Sequence, residues 1–247
     1  MKTIYILWLR QIKRHFRSKS RMIGALAQPI LFLIALGFGF GPIYQRAGGG
    51  DYLQFLTPGI IAMSLLFTST FFGIEIIWDR QFGFLKETLV APVSRLKIML
   101  GRTLGGATVA VFQGLIVLLI SLVAGFRPDF SMLPLALVVM ALISITFTAL
   151  GTAIASKMSD MHGFQLIMNF LIMPLFFLSG ALFPLDNLPK WITVVAYFNP
   201  LSYGVDALRQ LLVSAAQFSL FFDVLMLALF SIILLAIGSY LFSKIQI

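Results

Sequence analysis

Six long stretches of this chain carry no lysine or arginine and almost no acid: residues 22–41, 57–77, 103–124, 131–155, 162–182 and 218–240. A helix rises about 1.5 Å per residue and needs roughly 20 apolar residues to cross a hydrocarbon core. Each stretch reaches that length, and only Glu75 and Asp223 interrupt them with a charge, each near one end. Lipid leaves no alternative to internal hydrogen bonding, so the stretches read as six transmembrane helices. Composition agrees: 60% of the residues are hydrophobic and only 11% charged, against about 25% charged in a soluble domain, and the mean hydropathy is +0.99. The expected fold class is an all-α integral membrane protein. A disordered chain, a cytosolic enzyme and, with no cysteine present, a disulfide scaffold or thiolate metal site are excluded.

Basic residues orient the spans. Fourteen of the 18 Lys and Arg residues fall on one side: Lys2, Arg10, Lys13, Arg14, Arg17, Lys19 and Arg21 before the first span, Arg80, Lys86, Arg95, Lys97 and Arg102 after the second, and Lys157 and Lys244. Arg46, Arg127, Lys190 and Arg209 fall on the other. Both termini are therefore expected in the cytoplasm of a multi-pass inner (plasma) membrane protein. The net charge of +9 is accounted for by orientation, with no nucleic-acid partner needed.

Segments between the spans carry the remaining information. In residues 1–21, Ile4, Trp8, Ile12 and Phe16 recur at i, i+4 among basic residues, as in a helix lying in the headgroup plane against membrane lipid. Residues 78–102 mix both charge signs with Phe84, Leu85, Thr88 and Leu89 at helical spacing, then break at Ala91-Pro92. A short cytoplasmic helix that docks a partner explains that pattern better than a solvated connector does. Residues 183–217 are too apolar for a free loop and too broken for a crossing. They read as a pair of short interfacial or re-entrant helices, 189–198 and 201–213, the second opened by Asn199 as N-cap and Pro200 as N1. Its polar face holds Ser202, Asp206, Arg209 and Gln210, with Asp206 and Arg209 spaced to pair, so an outward-facing amphipathic lid or re-entrant hairpin is expected.

Within the spans, Gly101/Gly105 and Gly106/Ala110/Gly114 form small-xxx-small steps that let the third helix pack closely inside the bundle. Asn169, Pro174 and Ser179 make the fifth span the candidate to line a pathway. No G-x-x-x-x-G-K-[ST] occurs, so nothing here cradles ATP phosphates. His162 and Ser179 are separated by about 25 Å along one helix, too far for a hydrolytic pair. Glu75 and Asp223 sit at span ends and are expected to reach interfacial water. An ion-coupled carrier or channel subunit, which needs a buried relay, is therefore the second reading.

Two of these segments resemble a known family. Asn199-Pro200-Leu201-Ser202-Tyr203, five residues, then Arg209 is similar to the signature P-[LIMFT]-x-[HRSY]-x5-[RQ] of type-2 ATP-binding-cassette (ABC) exporter permeases. Asp79-Arg80, Gly83, Lys86-Glu87-Thr88-Leu89 and Ala91-Pro92-Val93-Ser94-Arg95 resemble that family's coupling segment. The drug-resistance (daunorubicin-type) and nodulation-factor exporter permeases are the nearest in kind, and the likeness spans essentially the whole chain as one transmembrane domain, 1–247. It implies a permease that is not itself an enzyme and binds no cofactor. ATP and Mg would sit on two separate nucleotide-binding ATPase subunits, beside a second permease copy. Phe84, Leu85, Glu87, Thr88, Leu89, Pro92 and Arg95 would couple to the ATPase. Asn199, Pro200, Tyr203, Asp206 and Arg209 would mark the outer re-entrant pair.

Overall fold

The computed structural model describes residues 2–46, 50–90, 92–185 and 189–245. Its described residues are helical with short connections: α1 (Lys2–Arg17), α2 (Lys19–Arg46), α3 (Tyr52–Phe71), α4 (Ile74–Gln81), α5 (Phe84–Val90), α6 (Arg95–Val123), α7 (Leu133–Ala155), α8 (Met161–Phe177), α9 (Lys190–Tyr197), α10 (Pro200–Val213) and α11 (Leu220–Ser243). Five segments are long and apolar enough to cross a membrane: α2, α3 with α4, α6, α7 with the turn before it, and α11. The fifth stretch, residues 162–182, yields a helix shorter than its apolar run. It forms α8 of 17 residues, about 25 Å of rise against a core of roughly 30 Å. Beyond it the chain turns at Gly180 (φ +75°) before α9 and α10, the latter packed on α3, α7 and α11.

Local chemistry sets the helix starts. Asp51 accepts from the Leu53 N–H to cap α3, Asp160 from the Gly163 N–H to cap α8, and Asn199 from the Leu201 N–H to cap α10, with Pro200 at N1. These side chains satisfy amides that the first helical turn leaves free. The connection after α2 is short, since α2 runs to Arg46 and α3 starts at Tyr52; residues 47–49 lie outside the described residues. The loop after the second span also narrows: α4 continues to Gln81 and α6 begins at Arg95. Ala91, part of the predicted break, lies outside the described residues.

The bundle is organised around α3, which is buried on nearly every side by α2, α6, α7, α8 and α10. Leu56, Ile60, Leu65 and Leu66 from α3 pack with Val117, Met140, Phe147, Phe164 and Leu208. A helix apolar all round suits such a central position, as it suits a lipid-facing span. By contrast α2 and α11 bury only one narrow face each.

The glycines of α6 split between two neighbours. Gly106 and Gly114 face α3, α4's lead-in and α7, where an added Cβ would press on Phe72, Thr148, Leu65 and Met140. Gly101 and Gly105 instead seat α1: a Cβ at Gly101 would lie 2.9 Å from Leu7 Cβ, and one at Gly105 2.7 Å from Gln11 Cβ. Helix α1 is thus docked on protein rather than resting on lipid alone. Its buried residues are Leu7, Gln11 and His15, one position off the predicted Ile4, Trp8, Ile12, Phe16 stripe, of which Phe16 is exposed. The reason is that α6 offers small residues and a hydroxyl: Trp8 Nε1 donates to Thr108 Oγ1 at 3.0 Å.

Candidate coupling and translocation sites

The basic end of the bundle holds a cluster of charges that hydropathy does not reveal. Asp79 on α4 is 2% exposed and accepts from Arg10 at 3.3 Å, Arg14 at 3.2 Å and, in a short contact, Arg102. Glu75, one turn earlier, accepts from Arg21 at 3.4 Å and lies 3.8 Å from Arg14 Nε. Glu75 therefore does not reach interfacial water as expected; it is buried and ion-paired. Two acids on α4 gather cations from α1, α2 and α6, and Arg14 and Arg21 also lie 5.6 and 5.7 Å from the Trp78 ring. Opposite charges brought together at a dry boundary constrain one another's position more than they add net stability.

Helix α5 hangs from this cluster. Gly83 turns the chain with φ +81°, and Arg10 lies 5.9 Å from the Phe84 ring. The end of α4 is tied to the turn between α7 and α8, where Arg80 donates to the Met158 carbonyl and Gln81 to that of Ser159. Leu85 points into the bundle, whereas Phe84, Glu87 and Val90 are exposed, Val90 to 82%. The surface α5 presents is therefore Phe84, Glu87 and Val90 at i, i+3, i+6. Leu85, predicted for the docking face, is core instead. Thr88 bonds back to the Phe84 carbonyl, Pro92 is exposed, and the Leu89 side chain lies outside the described residues. Arg95 faces away from α5 and donates to the Ile245 carbonyl at 3.5 Å.

At the opposite end, α10 is not a lid. All but one of its residues from Pro200 to Leu212 are buried, packed on α3, α7 and α11. The signature side chains clasp neighbouring backbone. Asn199 Nδ2 donates to the Leu175 carbonyl at 2.6 Å, fastening the end of α8. Tyr203 donates to the Tyr197 carbonyl at 2.7 Å. Arg209 donates to the Gly180 carbonyl at 2.9 Å and lies 4.0 Å from the Phe55 ring. Asp206 and Arg209 form no ion pair; Asp206 accepts instead from the Gln217 and Phe218 N–H groups. Unpaired amides and carbonyls of a broken helix outcompete a pair that would satisfy only itself. Asp223 likewise departs from expectation: it is fully buried, and neither oxygen has a hydrogen-bond donor among the described residues.

The three pathway candidates separate. Ser179 is buried in the turn, donating to the Phe176 carbonyl. Asn169 and Pro174 are exposed on α8 beside Leu166, Phe170 and Met173. Helix α2 lies alongside, Phe32 meeting Phe176 at 6.1 Å, and exposes Leu31, Ile34 and Phe38. Between α2, α3–α4 and α8, at the basic end, a cavity of about 640 Å³ is lined by Phe67, Phe71 and Trp78 with Gln28, Gln165 and Glu75.

His15 borders the same cavity, and its Nε2 has no partner among the described residues. Burial, and then the nearby Arg21 guanidinium, hold the imidazole below its ordinary value of 6.5. Folding therefore favours neutral His15, so its contribution is full above pH 6.5 and declines as the pH falls below that value. The protection factors of the α1 amides, which correct for the intrinsic base-catalysed slowing of exchange at lower pH, are expected to fall between about pH 7.5 and 5.5, and His15→Gln to flatten the change. Equal α1 protection factors at both pH values in the unsubstituted protein would contradict this.

Known proteins supply the context. The family model described as ABC-2 type transporter matches residues 2–213. The chain is 32% identical to Nodulation protein J of Rhizobium leguminosarum bv. trifolii, covering 84% of this chain and 78% of that protein. It is 29% identical to a putative transport permease, ycf38, of Cyanophora paradoxa, covering 98% of this chain and 88% of that one.

Proposed function

Because the chain belongs to the ABC-2 type transporter family, we propose that it is the membrane-spanning permease subunit of an exporter, coupling export to ATP hydrolysed with Mg on two separate nucleotide-binding subunits. The observation that carries this reading is α5, a short helix whose Phe84, Glu87 and Val90 face outward while Leu85 anchors it and the Glu75–Asp79 cluster holds its stem. An exposed apolar pair flanking a carboxylate suits a cleft in a partner that closes over it. Arginines on three other helices grip α4, so movement at α5 is transmitted to α1, α2 and α6 as one body. The basic end is the cytoplasmic end of an inner-membrane protein, both termini inside.

A second permease copy completes the pathway. Asn169 sits among exposed apolar residues of α8, and an amide facing acyl chains without a partner costs free energy. A facing copy or a water-filled passage relieves that cost. The cavity between α2, α4 and α8 opens beside this face and offers cargo a way in from the cytoplasmic end.

The test uses variants that leave the spans intact. Val90→Asp and Glu87→Ala are expected to reduce ATP-driven transport in vesicles tenfold or more, the effect of about 1.4 kcal/mol lost at the interface, with normal membrane insertion. Purified permease alone hydrolyses no ATP. Normal co-purification with the ATPase and normal transport in both variants would remove the coupling role. The fully buried Asp223 favours one other reading, an ion-coupled carrier. Collapsing the proton and sodium gradients separates the two: export persists under the ABC reading and stops on ATP depletion, whereas a carrier shows the reverse.

A further inference from the structure

A second groove lies on the far side of the basic end, between the start of α6 and the end of α11, with a volume of about 480 Å³. Gly238 lets the helices touch at Met99, where a Cβ would come within 2.6 Å of Met99 Cε. Past that contact they part and leave the groove. Its floor is apolar, formed by Met99, Leu100, Leu235 and Ala236. Its rim is polar and basic: Arg95, Ser239, Tyr240 and Ser243 line it, and Lys244 adds its ammonium 4.4 Å from the Tyr240 ring. No lining residue is acidic. Among the described residues neither Arg95 nor Lys244 is in an ion pair, since Glu75 and Asp79 are taken by Arg10, Arg14, Arg21 and Arg102. Arg95 is half-buried, and its hydrogen bond is a long one of 3.5 Å to the Ile245 carbonyl.

From this we infer that the groove holds an anionic glycerophospholipid of the leaflet at that end. The phosphate would lie between Arg95 and Lys244, with the hydroxyl of Ser239 as a further donor; that of Ser243 is already given to the Tyr240 carbonyl at 2.7 Å. An acyl chain would run down the floor toward Met99 and Ala236. The vertical order decides the ligand. Cations and hydroxyls stand at the helix ends, at headgroup depth, and the apolar wall begins one turn further in. A free phosphate would use the rim and leave the floor empty, whereas a zwitterionic lipid would bring its own ammonium against two cations. Basic pockets between helices at the cytoplasmic surface suit acidic headgroups for this reason.

The experiment reconstitutes the full chain in nanodiscs of equal phosphatidylglycerol and phosphatidylcholine with matched acyl chains and counts retained lipids by native mass spectrometry. The unsubstituted protein is expected to retain phosphatidylglycerol at least tenfold over phosphatidylcholine, about fivefold for each of two cations before competition from bulk lipid. Arg95→Gln/Lys244→Gln brings the ratio near one. Ala236→Trp, which fills the floor, lowers retention of both lipids. Should the double variant fail to fold, Lys244→Gln, at an exposed position, still reduces the preference about fivefold. Equal retention of the two lipids, an unchanged preference in the charge variants, or displacement by soluble glycerol 3-phosphate as effective as by the lipid would each overturn the assignment.

Discussion

Asp79→Asn destabilises this bundle by about 3–5 kcal/mol, because it leaves Arg102 buried without its counter-charge. Both side chains are almost wholly sequestered, at 3% and 2% exposure, and two guanidinium nitrogens of Arg102 already lack partners among the described residues. The amide keeps the shape of the carboxylate but loses the charge, so the loss reports electrostatics and not a cavity. Arg10→Gln, at a position far more exposed than Arg102, costs less than about 1 kcal/mol. Removing both buried charges, as Asp79→Asn/Arg102→Leu, recovers part of the loss. Denaturant unfolding in micelles, followed by tryptophan fluorescence with Trp8 and Trp191 replaced by Phe so that Trp78 alone reports, measures all three. A change under about 1 kcal/mol for Asp79→Asn would show that water reaches Arg102 and that the cluster is not a rigid stem for α5.

Gly151→Ala is expected to cost about 3 kcal/mol, at the upper end of overpacking. A Cβ there would collide with the Thr70 carbonyl oxygen, and one at Gly73 with the Gly151 carbonyl. Here α7 crosses the break between α3 and α4 backbone to backbone, and backbone cannot turn aside as a flexible side chain does. Larger residues at 151 should prevent assembly altogether. Gly39→Ala is the control, since nothing lies within 4 Å of its added Cβ, and it should be neutral or slightly stabilising. Thermal unfolding of the purified variants distinguishes these sites. Equal stability of Gly151→Ala and Gly39→Ala would mean that the two helices stand further apart.

The two effects bear on one mechanism. Gly151 and Gly73 lock α7 to the helix that carries Glu75 and Asp79, and those acids lock α4 to α1, α2 and α6. A push on Phe84 or Val90 therefore meets a stiff frame at the basic end. At the other end, Asn199, Tyr203, Asp206 and Arg209 hold α8, α9 and the lead-in to α11 by bonds to backbone. Lightly packed by comparison are α11 and α2 with the exposed face of α8, the last two being the pair that the proposed second copy would meet.

Most of the fold and part of the site were legible in the residues alone. Long apolar runs located the spans, the lopsided cations marked one end, and Asn199-Pro200 set the start of α10. Phe84 through Val90 was readable as a separate helix. Each of these depends on residues a turn or two apart, or on the composition of a run, so it is present before the chain folds. Tertiary structure alone decided the rest. Arg10 and Arg14 are 69 and 65 residues from Asp79, and with many cations and several acids near one boundary, only packing selects the pairs. The buried face of α1 shifted by one position because Gly101 and Gly105 on α6 admit it there. The polar face of α10 turned inward because a broken α8 leaves carbonyls that Asn199 and Arg209 must satisfy. Local pattern fixes where a helix runs; which of its faces is buried, and which charge meets which, depends on neighbours that become adjacent only when the bundle closes.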